Sequence, residues 1–119
     1  VERLSTDPLM VEDPLARKAL ARMKATMQDW QGVQYLARDL GVSKRSLELR
    51  FRKATGETVY QRLQTLRMDE AAHLLTTTSL PVCEISKWVG VKGQNRFGVY
   101  FRQATGITPR QYRNQHMAS

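Results

Sequence analysis

The sequence predicts an all-α protein of seven helices, arranged as two helix-turn-helix subdomains joined by one long linker helix. Three observations carry this prediction. Apolar residues recur at helical rather than strand spacing, proline and glycine divide that pattern into seven segments, and a helix–turn–helix pattern occurs twice. We place a linker end at residues 1–13, the first subdomain at 14–57, the linker helix at 58–77 and the second subdomain at 78–119.

The first three helices are each bounded by capping or breaking residues. Asp13 and Pro14 begin the first, because aspartate accepts hydrogen bonds from the first amides and proline lacks the amide that a first turn leaves unpaired. Gly41 ends the short second helix, Ser43 caps the third and Gly56 ends it. The predicted inward residues are Ala16, Leu20, Met23 and Met27, then Val33, Leu36, Ala37 and Leu40, then Leu47, Phe51 and Ala54.

The fourth helix begins at Thr58 and runs to about Thr77. Its broad apolar stripe is typical of a helix packed on two sides. Pro81 precedes a short fifth helix, a sixth helix follows, and Thr108 and Pro109 begin the seventh. The predicted inward residues are Val59, Leu63, Leu66, Ala71, Leu74 and Leu75 in the fourth helix, Val82, Ile85 and Val89 in the fifth, Phe97, Phe101 and Ala104 in the sixth, and Tyr112 in the seventh.

An internal repeat relates the two subdomains. Residues 51–58 match 101–108 at an offset of 50, and five positions of the preceding helix and turn match at an offset of 49. Those five are Val33, Leu36, Leu40, Gly41 and Val42 in the first copy, and Val82, Ile85, Val89, Gly90 and Val91 in the second. The second copy therefore carries one additional residue in its turn. Each copy reads as a short helix, a glycine-containing turn and a longer helix, which is the helix-turn-helix pattern.

The charge of the chain favours a polyanionic partner. Nineteen lysines and arginines stand against eleven acids, which gives a net charge of +8 and a pI of about 10.2. Such a balance is typical of proteins that bind nucleic acid or an anionic membrane surface, and a solvated basic face is the plainer alternative. No acid follows Glu84, whereas six lysines and arginines do.

Other function classes find little support in the sequence. Cys83 is the only cysteine, which fits a reducing, cytoplasmic location, and we expect it to be a small core residue. No Ser-His-Asp arrangement, phosphate-binding glycine loop or metal-ligand cluster occurs, so we predict no catalytic residue, no metal and no cofactor. No signal peptide or run of transmembrane length is visible. An RNA-binding protein usually presents exposed aromatic rings, but the aromatic residues noted above fall on core faces.

The outward faces of the third and sixth helices correspond residue for residue. They carry Arg45, Leu49 and Arg52 in the third helix, and Asn95, Val99 and Arg102 in the sixth. Arginine and asparagine have the geometry that binds guanine and adenine edges, and an aliphatic side chain contacts a thymine methyl group. Alternatively, Leu49 and Val99 pack against neighbouring helices, and the arginines are solvated or bind phosphates.

These features resemble the AraC/XylS family of bacterial transcription regulators over residues 14–115. The resemblance rests on Leu36-Ala37, Leu40 to Ser43, Leu47 to Gly56, Arg67 to Leu75, Val82 to Ile85, Phe101 to Gly106, Thr108-Pro109 and Tyr112-Arg113. Gly56 to Thr58 and Leu80 to Ser86 are most similar to xylose-regulator-type members. The resemblance implies a non-enzymatic domain that binds double-stranded DNA sequence-specifically through its third and sixth helices. It places Arg45, Glu48, Leu49, Gln94, Asn95, Arg96 and Val99 opposite bases.

Three further expectations concern partners and departures from the family. The family usually joins this domain to an effector-binding sensor domain, which these residues do not include, and RNA polymerase is a second candidate partner. Members often carry arginine where this chain has Leu49 and Val99, and Gly98 stands in the middle of the sixth helix. We expect phosphate contacts from Arg52, Lys53, Arg102, Arg110 and Arg113. A linker helix of roughly 28 Å compares with a DNA turn of about 34 Å, which favours recognition of two successive major-groove segments.

Overall fold

The computed structural model describes residues 13–117, which form seven α-helices and one turn of 3-10 helix at Met27–Asp29, without a β-strand in that range. The helices are α1 Pro14–Thr26, α2 Val33–Asp39, α3 Lys44–Thr55, α4 Val59–Thr77, α5 Val82–Trp88, α6 Gln94–Thr105 and α7 Pro109–Met117. The predicted all-α class with seven helices is confirmed. Of the predicted linker end, residues 1–12 lie outside the described residues.

The chain divides into two compact units, and the boundary falls inside α4, between Gln64 and Thr65. The first unit holds α1 to α3 and the beginning of α4, and the second holds the rest of α4 and α5 to α7. Each unit has its own buried residues. They are Leu15, Ala16, Ala19, Leu20, Met23, Met27, Leu36, Ala37, Leu47, Phe51, Val59 and Leu63 in the first unit, and Leu66, Met68, Ala71, Leu75, Ile85, Val89, Val91, Phe97 and Phe101 in the second.

The helix starts in the first unit follow the predicted caps. The Asp13 carboxylate accepts hydrogen bonds from the amides of Leu15 at 2.8 Å and Ala16 at 3.4 Å. The Ser43 hydroxyl accepts from the amide of Ser46 at 3.0 Å. These contacts satisfy amides that have no partner inside the helix, and each typically contributes about 1 kcal/mol.

Asp13 also joins the start of α1 to α3. The Arg50 guanidinium lies 2.9 Å from the Asp13 carboxylate. Partial burial of the carboxylate raises the pKa of Asp13, but the hydrogen bond from Arg50, the two capping amides and the charge of Arg50 outweigh that effect. The pKa of Asp13 therefore lies below its ordinary value, and this contact stabilises the first unit only while the carboxylate is ionised.

A buried arginine organises the turn between α3 and α4. The Arg62 side chain is 1% exposed, and its Nε donates to the Glu57 carboxylate at 2.6 Å. A buried guanidinium is tolerated only when it is paired and hydrogen-bonded. Glu57 belongs to the repeated segment, but the matching position in the second copy is Ile107, so this pair occurs in one unit only.

A second arginine organises the end of α4 in the second unit. The Arg113 guanidinium donates to three backbone carbonyls, those of Leu75 at 3.0 Å, Thr78 at 3.2 Å and Leu80 at 2.7 Å. The last carbonyls of a helix have no intrahelical partner. Arg113 on α7 therefore satisfies the end of α4 and fixes the segment that leads to α5.

The internal repeat is visible in individual hydrogen bonds. Thr55 donates its hydroxyl proton to the carbonyl of Phe51 and accepts from the amide of Glu57, and Thr105 makes the same pair of bonds with Phe101 and Ile107. Thr58 and Gln61 cap α4 reciprocally, side chain to amide, and Thr108 and Gln111 cap α7 in the same way. Gly56 and Gly106 end α3 and α6 in the left-handed region. The two copies therefore share the caps of α4 and α7 and the glycine ends of α3 and α6.

The predicted additional residue in the second turn has a structural consequence. In the first unit Ser43 caps α3 with its side chain. In the second unit the residue before α6 is Gly93, at φ 90°, and it provides no side-chain cap. Ser86 instead donates to the carbonyl of Val91 in the turn, at 2.6 Å. The side-chain hydrogen bond in the second turn therefore comes from α5, and not from the residue that precedes α6.

Three predicted core residues are exposed in the structure. Ala54 and Ala104 lie three positions after the buried Phe51 and Phe101. The residue that is half-buried instead is the threonine that follows each alanine. A residue four positions along a helix lies closer to the face of the starting residue than one three positions along does. Cys83 is also exposed, so the prediction that it belongs to the core is wrong. The buried face of the short α5 is formed by Ile85 and Ser86, and Cys83 lies about 200° around the helix from Ile85.

Candidate nucleic-acid interface

Helix α3 presents an exposed face opposite its buried residues. Leu47 and Phe51 are fully buried and fix the rotation of the helix about its axis. The opposite face exposes the residues predicted to contact DNA from this unit, namely Arg45, Glu48, Leu49, Arg52 and Lys53. Leu49 is 59% exposed. The alternative that Leu49 packs against a neighbouring helix of this chain therefore does not hold.

Helix α6 is held in the same way in the second unit. Phe97 and Phe101 are fully buried, with ring centroids 5.9 Å apart, and Tyr112 of α7 packs edge-on against Phe101 at 5.3 Å. The outward residues predicted for this helix are all exposed; they are Gln94, Asn95, Arg96, Val99 and Arg102. Val99 is 53% exposed, so it is not a core residue of this unit.

A groove runs along the outward face of α6. It has a volume of about 460 Å³, and α6 contributes Asn95, Gly98, Val99 and Arg102 to its wall. The start of α7 forms another part of the wall through Thr108, Pro109 and Arg110. Gln94 also lines the groove, which therefore brings three predicted base-contacting residues together with two predicted phosphate contacts, in a concave surface of positive charge.

One of the residues predicted to contact phosphate, Arg113, binds backbone carbonyls of this chain instead. Arg52, Lys53, Arg102 and Arg110 are exposed and lie on or beside the outward faces. Arg113 is half-buried, and its guanidinium is used by the three carbonyls at the end of α4. We therefore no longer propose a phosphate contact for Arg113. Its acceptors are backbone groups, which leave no signal in the sequence.

Gly98 has no structural explanation within the chain. It lies inside α6 with an ordinary helical backbone and is not among the glycines at positive φ. A Cβ atom built at this position meets no atom within 4 Å other than those of its two chain neighbours and of its own helix backbone. Glycine in a helix interior costs up to about 1 kcal/mol relative to alanine. Neither backbone conformation nor packing requires that cost.

Other kinds of site find no counterpart in the described part of the chain. Residues 13–117 contain no group of three or more histidine, cysteine, aspartate or glutamate side chains arranged to hold a metal ion. None of their helices is long and apolar enough to cross a membrane.

Comparison with known proteins agrees with this arrangement. A family model described as a helix-turn-helix domain matches residues 36–115. The crystal structure of a regulator from Chromobacterium violaceum, described as an AraC-type DNA-binding domain protein, superposes with a TM-score of 0.82 and 29% identity over 87% of this chain and 92% of that one. This chain belongs to the AraC-type helix-turn-helix family. The family consists of DNA-binding domains of transcription regulators, without enzymatic activity.

Other relatives of this AraC-type domain include named transcription regulators. The xylose operon regulatory protein of Escherichia coli strain K12 is 30% identical over 114 residues, and the transcriptional activator RhaR of Cronobacter sakazakii is 37% identical over 83 residues. The matches cover 96% and 70% of this chain, but 29% of each relative. The DNA-binding domain of AdpA, solved with a target DNA, has a TM-score of 0.82 and 31% identity, covering 90% of this chain and 96% of that one.

Proposed function

We propose that this chain binds double-stranded DNA sequence-specifically as part of a bacterial transcription regulator, with α3 and α6 entering successive major-groove segments. The observation that carries the proposal is the pair of equivalent outward faces, each exposed on a helix whose rotation is fixed by two buried residues. A helix held in this way presents the same side chains to every ligand, as base recognition requires. The positive charge of +8 supplies attraction to phosphates.

In the first unit, we assign base contacts to the first two turns of α3. Arg45 matches guanine, whose O6 and N7 atoms accept two hydrogen bonds from a guanidinium. Glu48 accepts a hydrogen bond from the amino group of cytosine, and Leu49 contacts a thymine methyl group. All three side chains are exposed on the same side of α3.

In the second unit, the polar base contacts are concentrated at the beginning of α6. Gln94 and Asn95 match adenine, and Arg96 matches guanine. Val99 follows one turn later and offers only an apolar contact. The N-terminal residues of a recognition helix are the ones that reach base edges most readily. We therefore expect the two halves of the DNA site to differ in sequence.

Phosphate contacts position the two helices without reading sequence. We assign this role to Arg52 and Lys53 at the end of α3, and to Arg102 and Arg110 beside the groove of the second unit. All four side chains are exposed, so the assignment requires no rearrangement of the chain.

The whole regulator is proposed to contain further parts. The chain spans 29% of the length of each of the two curated relatives described above. We propose that an effector-binding sensor domain lies elsewhere in the full-length protein, and that the regulator activates transcription through a contact with RNA polymerase. Deletion of the coding segment for this chain should abolish activation of a reporter that carries the selected DNA site. Activation that persists without this segment would contradict the proposal.

Selection of bound sites from random DNA duplexes tests the central proposal. We expect one chain to select an asymmetric site in two parts and to protect about two helical turns of DNA. Selection of no sequence would contradict DNA recognition, and a single short site or a requirement for a palindrome would contradict the two-segment arrangement. Arg45→Ala should lose discrimination at one base pair, worth about 1–3 kcal/mol. Lys18→Ala, an exposed change on α1, should leave all base preferences unchanged.

A further inference from the structure

We propose that Gly98 forms a niche on α6 that receives the methyl group of one thymine, so that the absence of a side chain at this position is itself a determinant of DNA sequence specificity. The inference rests on the proposed function and goes beyond it, because it assigns recognition to a residue that has no side chain.

The niche is a gap in an otherwise continuous row of side chains. Asn95, Gly98, Val99 and Arg102 are spaced at three, four and seven positions, so they share one face of α6. All four line the same groove. A Cβ atom at position 98 would point into open space, with no atom within 4 Å apart from its two chain neighbours and the backbone of its own helix. The side chains one turn away on α6 therefore do not fill the place that glycine leaves.

The glycine calls for an explanation outside the chain. Alanine is the stronger helix former, and position 98 accepts a methyl group without collision in the free protein. The helical backbone does not require glycine either, because its φ is not positive. The remaining physical reason for glycine is close approach of a bound partner to the α6 backbone.

The chemistry of the niche favours a methyl group over a polar base edge. A base donor or acceptor placed against Gly98 would lose water and gain no side-chain partner, which is unfavourable. A thymine methyl group needs only apolar contact, which the Cα of Gly98 and the neighbouring Val99 provide. Asn95 and Arg102, on either side, then contact the flanking base and the phosphate.

The proposal is tested by exchanging methyl groups between the protein and the DNA. In the selected site, each thymine of the α6 half is replaced in turn by deoxyuridine, which differs only by lacking the methyl group. With the unchanged protein, one replacement should weaken binding about fourfold, the effect of removing one buried methyl group. Gly98→Ala should weaken binding to the thymine site at least about tenfold, because its methyl group competes for the occupied niche.

The decisive measurement combines the two changes. Gly98→Ala should bind the deoxyuridine site more tightly than the thymine site, which reverses the preference of the unchanged protein. Its melting temperature should rise by a few degrees, which shows that weaker binding is not caused by unfolding. Gln115→Ala, an exposed change on α7 away from the groove, should alter neither preference.

Three results would overturn the proposal. In the first, Gly98→Ala binds the thymine site as tightly as the unchanged protein does. In the second, Gly98→Ala binds more weakly and no deoxyuridine replacement restores its affinity. In the third, the selected α6 half-site contains no fixed thymine. Each leaves the proposed function intact, provided that the unchanged protein still selects a sequence. Failure of the unchanged protein to select any sequence would instead contradict the proposed function itself.

Discussion

Replacement of Arg113 by alanine separates a structural role from a DNA-binding role at one position. The guanidinium makes three hydrogen bonds to the carbonyls that end α4 and begin the following segment, at 2.7–3.2 Å. If this geometry determines the function of Arg113, its removal should lower the stability of the second unit. The number of phosphates that the protein neutralises should stay the same.

The expected magnitude follows from the three bonds. A hydrogen bond from a charged donor contributes about 1.5–3 kcal/mol, and an acceptor left without a partner costs more when water cannot reach it. Arg113 is half-buried, so water replaces part of what is lost. We therefore expect Arg113→Ala to lower the free energy of unfolding by about 2–4 kcal/mol, less than the sum of three independent bonds.

Urea unfolding followed by circular dichroism measures the stability, and DNA affinity at several salt concentrations measures the phosphate contacts. Arg110→Ala is the matched control, because Arg110 lies one turn earlier on α7 and is exposed beside the groove. Arg110→Ala should change the free energy of unfolding by less than about 0.5 kcal/mol. It should reduce the slope of log K against log salt by about the contribution of one phosphate contact. The reverse result, with Arg113→Ala stable and altered in salt dependence, would refute this division of roles.

Three other changes test separate parts of the structure. Arg102→Ala should weaken binding to all sequences and reduce the slope of log K against log salt by about 0.9; an unchanged slope with one relaxed base preference would make Arg102 a base contact. Asp13→Asn should keep the helix cap but lose the contact with Arg50, at a cost of about 0.2–1 kcal/mol near neutral pH. Because the pKa of Asp13 is lowered in the folded state, the stabilisation from the Asp13 carboxylate is complete above about pH 4 and disappears as the pH falls through that lower pKa. If the stability of Asp13→Asn and of the unchanged protein depended on acidic pH in the same way, this prediction would be contradicted. Val99→Ala should reduce affinity less than Arg45→Ala does, and the opposite order would contradict the proposed contacts.

Local signals account for the parts of the fold that were predictable from sequence. The starts of α1, α3, α4 and α7 follow from Asp13, Ser43, Thr58 and Thr108, because a capping side chain acts on amides only two or three residues away. The ends of α3 and α6 follow from glycines that adopt the left-handed region. Helix caps and glycine ends are predictable from sequence because their partners lie within a few residues.

Contacts between distant residues were not predictable in the same way. Arg113 was predicted to contact phosphate, whereas its partners are carbonyls 33 to 38 positions earlier. Cys83 was assigned to the core because it falls inside a helix with core spacing, although this seven-residue helix buries too narrow a face to include it. In both cases residue type indicated the chemistry available, and only the fold determined its use.

The two units differ most where they are expected to contact DNA. The caps of α4 and α7 and the glycine ends of α3 and α6 repeat between the units, but the matched outward positions hold Arg45 and Asn95, Leu49 and Val99, and Glu48 and Gly98. The first and third pairs differ in chemistry, whereas Leu49 and Val99 are both aliphatic. The buried Phe51 and Phe101 that hold the two helices are the same residue type. The two units therefore share matched helix ends but expose different side chains on α3 and α6. We therefore expect a single chain of this kind to distinguish the direction of its DNA site, because reversing the site would place each helix against the bases that the other is proposed to contact.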